Sequence, residues 1–137
     1  MTTKVIQDLW ILSDSGIVLF SRVFNPKVNE QLFGALMSAL NTFATELTSG
    51  GLTSFELSAI RFTIMKNSRY MFVCNSSKKN KEKHVIDELR RISERFLENF
   101  GDLLDDWDGE ISVFEGFEEH IEDSLEETIK KFQKAFW

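Results

Sequence analysis

Residues Val5–Phe24 read VIQDLWILSDSGIVLFSRVF, and this stretch decides the fold that the sequence predicts. Two runs rich in Ile, Val, Leu, Trp and Phe flank the turn formers Ser13–Gly16, which is the pattern of two strands joined by a tight turn. Both runs are apolar at nearly every position rather than at alternate ones. A strand has this pattern when both of its faces are covered. The hairpin is therefore predicted to lie in a sheet with helices on both sides.

The residues after the hairpin have helical spacing. Asn25 with Pro26, or alternatively Asn29, is a candidate cap, and Ser49–Gly51 ends the helix. Apolar residues recur every three or four positions, which predicts a helix with one buried face. These residues are Val28, Leu32, Phe33, Leu36, Met37, Leu40, Phe43, Ala44 and Leu47.

Three short apolar segments follow, at residues 52–58, 60–66 and 69–75. The links between them are too short for crossovers, so neighbouring segments should pair antiparallel as a meander. A second helix is predicted from a cap at Asn80 to a stop at Gly101. Its exposed side carries the oppositely charged pairs Asp87–Arg91 and Arg90–Glu94.

The last helix is predicted to begin at a capping box, Ser112–Glu115, and to run from Val113 to Phe136. The complete element order is then β-β-α-β-β-β-α-α. This order predicts one α+β domain over residues 1–137, with a five-stranded antiparallel sheet in the order 2-1-5-4-3. One helix should cover one face and two helices the other. Residues 126–137 are expected to form a helical C-terminal extension.

Composition narrows the class of protein. The chain has 137 residues, one Cys and no apolar stretch near the roughly 20 residues of a membrane span. We therefore expect a cytoplasmic protein that contacts membranes at most peripherally. The net charge of −6 argues against nucleic-acid binding, which needs clustered cations. The exception is the basic region 78–95, which includes Lys78, Lys79, Lys81 and Lys83.

One acidic loop partly fits a calcium-binding template. With Leu104 at loop position 1, later template positions are filled by Asp106, Asp108, Gly109, Ile111 and Glu115. Leucine at the first position lacks the carboxylate that the cation requires, so the favoured interpretation is an acidic loop before a helix N-terminus. Trp107 is expected to plug the loop against the sheet.

Other chemistry-bearing residues are few. Cys74 lies mid-strand among apolar residues, where a thiol is usually inert. The two histidines, His84 and His120, and one cysteine give no zinc spacing. Glycine-rich phosphate motifs are also absent. We therefore expect no catalytic residues, no metal and no cofactor.

The sequence resembles the longin domain, a profilin-like module shared by trafficking proteins and certain activators of small GTPases. The resemblance rests on DLWILSDSGIVLFSR, on the element order, on ELRRISERFLENFGD and on DWDGEISVFEGFEEHIED. It is greatest to small stand-alone longin-like proteins of archaea, because the coiled coil and anchor of a longin SNARE are absent. These motifs are structural rather than catalytic.

The resemblance implies a scaffold that binds protein partners, namely small GTPases or other longin or roadblock modules, and no reaction. A homodimer is a further expectation. Candidate surfaces are the outer side of the first helix and the edge strand near Ser21, Arg22 and Phe24, because sheet edges are templates for pairing.

Two alternatives remain open. The first is a peripheral membrane or adaptor module that uses Lys78, Lys79 and Lys81, or a basic-aromatic C-terminal tip. The tip comprises Phe132, Phe136 and Trp137, and the competing interpretation is that these rings pack on the domain's own core. The second, more remote alternative is a calcium sensor or an enzyme.

Overall fold

The computed structural model describes residues 6–23, 29–67, 69–105, 107, 109–117 and 119. These residues form five strands, two α-helices and one 3-10 helix. The strands are β1 (Asp8–Ser13), β2 (Val18–Arg22), β3 (Ser54–Leu57), β4 (Ile60–Asn67) and β5 (Tyr70–Ser77). The helices are α1 (Glu30–Leu47), α2 (Glu82–Asp105) and the 3-10 helix (Ile111–Phe117).

The predicted sheet is confirmed. All neighbouring strands are antiparallel and the order is β2-β1-β5-β4-β3. β1 lies between β2 and β5, so that Trp10 pairs with Ser21 on one side and with Val73 on the other. β2 and β3 are the two edges. The long α1 connection leaves room for β5 to pair with β1, which is the arrangement that the element order predicted.

The turn of the opening hairpin depends on Gly16. This glycine has a φ of 94°, in the left-handed region that favours glycine. Its N–H donates to the Ser13 carbonyl at 3.0 Å, and the Ser13 N–H donates to the Ile17 carbonyl at 2.9 Å. The turn therefore closes with its backbone groups paired, and it brings β1 and β2 into register.

Each face of the sheet carries its own apolar core, because successive residues of β1 point to opposite sides. Trp10 and Leu12 face α1, where they pack with Met37. Leu9 and Ile11 face α2 and the 3-10 helix. All four β1 residues are buried, so the prediction that the first strand is covered on both faces is confirmed.

Asn29 caps α1. Its side-chain oxygen accepts hydrogen bonds from the N–H groups of Gln31 at 3.0 Å and Leu32 at 3.1 Å. These contacts satisfy two backbone donors that the first turn of a helix leaves unpaired. The helix ends at Leu47 with Thr48 as its C-cap, just before the stop at residues 49–51 that the sequence predicted. The rival cap, Asn25 with Pro26, lies outside the described residues.

The second helix differs from its prediction in two respects. It does not end at Gly101 but continues to Asp105, because Leu104 beyond the glycine packs against the core and offsets glycine's poor helix propensity. Its ion pairs also join other partners. Arg90 bonds Asp87 at 3.2 Å, and Arg91 bonds the buried Glu88 at 2.9 Å.

The start of the third helix is a 3-10 helix rather than the predicted α-helix. Its rings Phe114 and Phe117 enter the core beside Phe96 of α2, with ring centroids 5.5 and 5.2 Å away. The three-residue spacing of a 3-10 turn places both rings on one side, toward the sheet. The remainder of the predicted helix, including the extension 126–137, lies outside the described residues.

Candidate interaction site

The outward side of α1 carries a row of large apolar side chains that are exposed. We call this row the α1 stripe. Its members and their exposed fractions are Leu32 (64%), Leu36 (53%), Leu40 (37%), Phe43 (64%) and Leu47 (73%). The spacing of four, four, three and four residues keeps all five on one side of the helix. Contiguous exposed apolar surface of this kind marks interaction sites in soluble proteins.

The stripe corrects the prediction that α1 has a single buried face. Met37 is buried against the sheet and Phe33 is half-buried, whereas the five stripe residues are turned away by roughly 100° around the helix axis. The apolar positions therefore belong to two faces. A signal was present in the sequence, because nine apolar positions over five turns exceed what one core-facing stripe requires.

The direction of the stripe follows from the neighbours of α1. Gly34 and Ser38 lie to one side of Met37 around the helix axis. The Ser38 hydroxyl donates to the Asp14 carbonyl in the β1–β2 turn at 3.0 Å. Phe33 lies on the other side and approaches Phe62 of β4, with ring centroids 6.3 Å apart. The stripe is on the Phe33 side, so it faces toward β4 and the β3 edge.

The sheet continues this apolar surface below the stripe. Phe55 of β3 stacks on Phe62 with centroids 4.7 Å apart and an interplanar angle of 4°, yet both rings are only half-buried. Leu57 and Ile60 pair with each other on the same face of the sheet and are exposed. The β3–β4 hairpin therefore carries exposed apolar residues of its own on the face of the sheet that α1 covers.

The edge strand β2 holds two of the predicted partner-binding residues. The Ser21 hydroxyl donates to Glu30 Oε1 at 2.5 Å, which ties the edge to the start of α1, and Arg22 is half-buried. A cleft of about 270 Å³ lies beside them and is lined partly by Glu30 and Glu115. Phe20 in the same strand meets Phe117 edge-on at 5.4 Å, so the 3-10 helix lies along this edge.

The predicted basic site lies at the β5–α2 connection. Lys78, Lys79 and Lys81 are exposed there. Lys78 Nζ is 3.6 Å from Glu56 Oε1 on β3, so its charge is partly matched within the fold. The structure does not bring Lys78 together with Ser21 and Arg22, because Lys78 pairs with Glu56 on β3, and β3 and β2 are opposite edges of the sheet. Phe24, Phe132, Phe136 and Trp137 lie outside the described residues.

Cys74 has the environment of an inert thiol. It is fully buried in the core under α2, and burial raises the pKa of its thiol from 9.0 to about 12, although a backbone hydrogen bond from Thr63 acts in the opposite direction. The thiol is therefore neutral at physiological pH and a poor nucleophile.

The candidate calcium loop is described only in part, because Asp106 and Asp108 lie outside the described residues. Leu104, at the first template position, is half-buried and packs against the core. Trp107 also packs there, 5.6 Å from Phe114, and its Nε1 donates to the Glu110 carbonyl at 2.9 Å. The indole thus packs against the core beside the 3-10 helix, and its role as a plug over the sheet stays a prediction.

The described ranges offer neither a metal cluster nor a membrane-crossing helix. Within those ranges no three His, Cys, Asp or Glu side chains converge closely enough to hold a metal ion. The two α-helices of the same ranges lack the length and apolar character needed to cross a membrane.

The similarity of this chain to known proteins lies in its fold. No family model matches it, and no curated protein sequence matches it. Among solved structures, it is similar to Myxococcus xanthus MglB, with a TM-score of 0.61 and 12% identity over 71% of this chain and 85% of that one. An MglB with a tetrameric arrangement gives a TM-score of 0.50 at 12% identity, over 64% of this chain and 73% of that one.

A roadblock/LC7 domain from Streptomyces avermitilis gives a TM-score of 0.51 at 13% identity, over 68% of this chain and 87% of that one. MglB and roadblock/LC7 domains have longin-like folds, so the likeness predicted from the sequence is supported at the level of the fold. None of these comparisons bears on the predicted likeness to archaeal stand-alone proteins. The chain therefore shares the longin-like, roadblock-type architecture of these structures.

Proposed function

We propose that this protein is a non-catalytic interaction module that works by binding protein partners in a small-GTPase system. The observation that carries the proposal is the α1 stripe, five large apolar side chains exposed on one helix. Leaving such a surface in water costs about 25 cal/mol for each Å² of apolar area that a partner would cover. A partner that covers it gains this free energy.

The partner class follows from the fold rather than from a reactive group. MglB and roadblock/LC7 structures share the architecture, and one MglB has a tetrameric arrangement, which supports a module that works by protein contact. The resemblance of the sequence to longin domains adds small GTPases and longin or roadblock modules as candidates. Vesicle trafficking remains part of the proposal through that resemblance, and a cytoplasmic location remains part of it through the composition of the chain.

The β2 edge is proposed as a second contact. Ser21 and Arg22 lie on it, beside the cleft lined by Glu30 and Glu115. An edge strand offers backbone donors and acceptors to an incoming strand. Phe24 is proposed for the same contact from the sequence alone.

Direct binding tests the proposal. The full chain would be immobilised and presented with purified small GTPases, each loaded with GDP or a non-hydrolysable GTP analogue, and with purified roadblock and longin modules. We expect binding by at least one of them. The Arg22→Glu variant should weaken a contact at the β2 edge, and Arg69→Glu, an exposed arginine elsewhere, is the matched control. Wild-type protein that binds no member of the panel would contradict the proposed partner class.

The basic loop supports a second candidate function at a membrane surface. Lys79 and Lys81 are exposed, and anionic lipid attracts such clusters by about 1 kcal/mol per cation near the surface. The tip residues Phe132, Phe136 and Trp137 belong to the same hypothesis. Flotation with phosphatidylserine vesicles at low salt should then recover the wild type but not a Lys79→Glu, Lys81→Glu variant. Absence of wild-type flotation would remove this candidate.

A further inference from the structure

We infer that a cavity between the end of α2 and the β4–β5 turn binds a small aromatic carboxylic acid that carries a hydrogen-bond donor at its far end. The cavity has a volume of about 530 Å³, within the range of small-molecule sites. It is lined by Arg69, Tyr70, Leu97, Gly101, Leu104 and Asp105. The α1 stripe belongs to the helix on the opposite face of the sheet, so the inference is independent of the proposed function.

Apolar side chains form two walls of the cavity. Leu97 and Leu104 are seven residues apart, so both lie on one side of α2, and Tyr70 begins β5. All three pack partly against the core and remain half-buried, so part of each side chain is left uncovered. The phenol of Tyr70 also offers an aromatic face for stacking. An apolar ring between these walls would lose contact with water on two sides.

Gly101 keeps the helical wall of the cavity open. It lies four residues after Leu97 and three before Leu104, which places it on the same side of α2. Among the described residues no atom lies within 4 Å of a Cβ built on Gly101, so packing does not require glycine there. Glycine is also unfavourable inside a helix. The missing side chain lets a flat ring lie close to the helix backbone, which favours an aromatic ligand.

The two ends of the cavity carry opposite charges. Arg69 is exposed in the β4–β5 turn, and its carbonyl accepts a hydrogen bond from the Asp14 N–H at 2.9 Å, which ties this turn to the first hairpin. Asp105 ends α2, whose last turn contains no basic residue, so the carboxylate and the helix dipole both make that end negative. Arg69 and Asp105 form no ion pair in the part of the chain that the structure describes. A ligand between them therefore meets a cation at one end and an anion at the other.

These charges specify the two ends of the ligand. A carboxylate matches the guanidinium of Arg69, which can donate two parallel hydrogen bonds to it. The hydroxyl of Tyr70, next in the chain, has no hydrogen-bond partner within the described ranges and supplies a further donor. A hydroxyl or N–H at the far end of the ligand would donate to the Asp105 carboxylate, whereas a second carboxylate there would be repelled.

Titration with 4-hydroxyphenylacetate tests the inference, because this probe combines a ring, a carboxylate and a distal hydroxyl. In NMR spectra of the full chain labelled with ¹⁵N, the amide signals of Tyr70, Gly101 and Leu104 should shift and saturate. Phenylacetate, which lacks the hydroxyl, should bind several-fold more weakly. Tyramine, in which an ammonium replaces the carboxylate, should bind at least roughly tenfold more weakly.

Filling the cavity supplies a second test. Gly101→Leu should abolish the shifts caused by 4-hydroxyphenylacetate, because the new side chain enters the open space beside the helix. Its melting temperature should not fall, since leucine favours a helix more than glycine does. Asp102→Leu is the matched control, because it adds the same side chain at an exposed neighbouring position that does not line the cavity. This control should bind the probe like the wild type.

Removing the cation tests the predicted orientation. Arg69→Gln should weaken 4-hydroxyphenylacetate roughly tenfold without weakening tyramine, because only the first probe carries a carboxylate. Arg90→Gln, at an exposed arginine of α2 that does not line the cavity, should change neither affinity. Equal losses for both probes in Arg69→Gln would contradict the contact between the carboxylate and the guanidinium.

The remaining outcomes separate this inference from the proposed function. A wild type without saturable shifts at millimolar probe overturns the inference, and so do shifts that persist in Gly101→Leu. A tripeptide ending in tyrosine that binds more tightly than 4-hydroxyphenylacetate would place a protein C-terminus in the cavity and overturn the assignment to a small molecule. A protein that binds the probe but no member of the GTPase and module panel would support the inference while contradicting the proposed partner class.

Discussion

Gly34 in the middle of α1 lies directly against the carbonyl group of Gly16 in the turn of the opening hairpin. A Cβ on Gly34 would overlap the Gly16 carbonyl oxygen and would lie 2.9 Å from Cγ2 of Val18. A Cβ on Gly16 would in turn lie 2.8 Å from the Gly34 carbonyl oxygen. Two glycines, one on the helix and one on the turn, therefore set how closely α1 approaches the sheet.

The first prediction concerns this contact. Gly34→Ala should lower the free energy of unfolding by about 2 kcal/mol, because an added methyl group pushes the helix from the hairpin. The loss should occur although alanine is favoured over glycine by about 1 kcal/mol within a helix. Urea unfolding followed by circular dichroism measures it. Gly50→Ala is the control, because no atom lies within 4 Å of a Cβ there. A Gly34→Ala protein as stable as the control would show that the two elements can separate freely.

The second prediction concerns the aromatic contact that fixes the other side of α1. Phe33 stacks on Trp10 with ring centroids 4.3 Å apart. Phe33→Ala should lower the free energy of unfolding by about 3 kcal/mol, because it removes this ring from the core. The emission of Trp10 should also shift to the red as water reaches the indole. Thr42→Ala, at an exposed position of the same helix, should change stability by less than about 0.5 kcal/mol. Equal effects of the two substitutions would contradict the assigned packing.

The third prediction concerns a buried hydroxyl in β4. Thr63 Oγ1 is buried and has no hydrogen-bond partner among the described protein atoms. Thr63→Val keeps the shape and removes the unpaired polar atom, so it should raise the free energy of unfolding by about 1 kcal/mol. Thermal unfolding measures the change. Thr53→Val, at an exposed residue just before β3, should leave the melting temperature almost unchanged. A destabilised Thr63→Val protein would indicate that the hydroxyl is paired after all.

The fourth prediction concerns the thiol of Cys74. Its pKa is raised in the folded protein from 9.0 to about 12, so the folded state holds the proton more tightly than the unfolded state does. The resulting stability is fully present below pH 9 and is lost as the pH rises through about 12. We therefore expect the stability advantage of wild type over Cys74→Val to shrink across this range. Unfolding measured in parallel for both proteins isolates the effect from other titrating groups.

Thiol labelling checks the same environment independently. At about pH 8 the native protein should react with a disulfide reagent many times more slowly than the urea-unfolded protein. Exposed Lys79→Cys provides the matched rapid reference in the same fold. Equal rates for the native and unfolded wild type would show that Cys74 is accessible.

A large part of the fold was predictable because it depends on local patterns. The dense apolar runs on both sides of Ser13–Gly16 indicated a strand covered on both faces, and β1 is buried along Leu9–Leu12. The short links between the last three strands required antiparallel neighbours. The long connection through α1 left β1 free to pair with β5. Each of these features follows from spacing along the chain.

Details that depend on long-range contacts were predicted less well. Gly101 reads as a helix stop, yet α2 continues to Asp105 because Leu104 reaches the core. A sequence pattern cannot report that contact, since it joins elements far apart in the chain. The ion pairs of α2 differ for a related reason, because side-chain rotamers and burial decide among the neighbours that lie three or four residues away.

By itself, the sequence determined the order of the elements, the layering of helices on both faces of the sheet and the lack of a recognisable reactive motif. Only the tertiary structure decided which apolar residues of α1 remain in water. Periodicity places Met37 and Leu36 on neighbouring parts of one helix, but the close approach of Gly34 to Gly16 fixes the rotation of that helix. This rotation buries Met37 and leaves Leu36 exposed with the rest of the α1 stripe. The physical reason is that a helix turns as one body, so the contact between Gly34 and Gly16 sets the orientation of all its side chains.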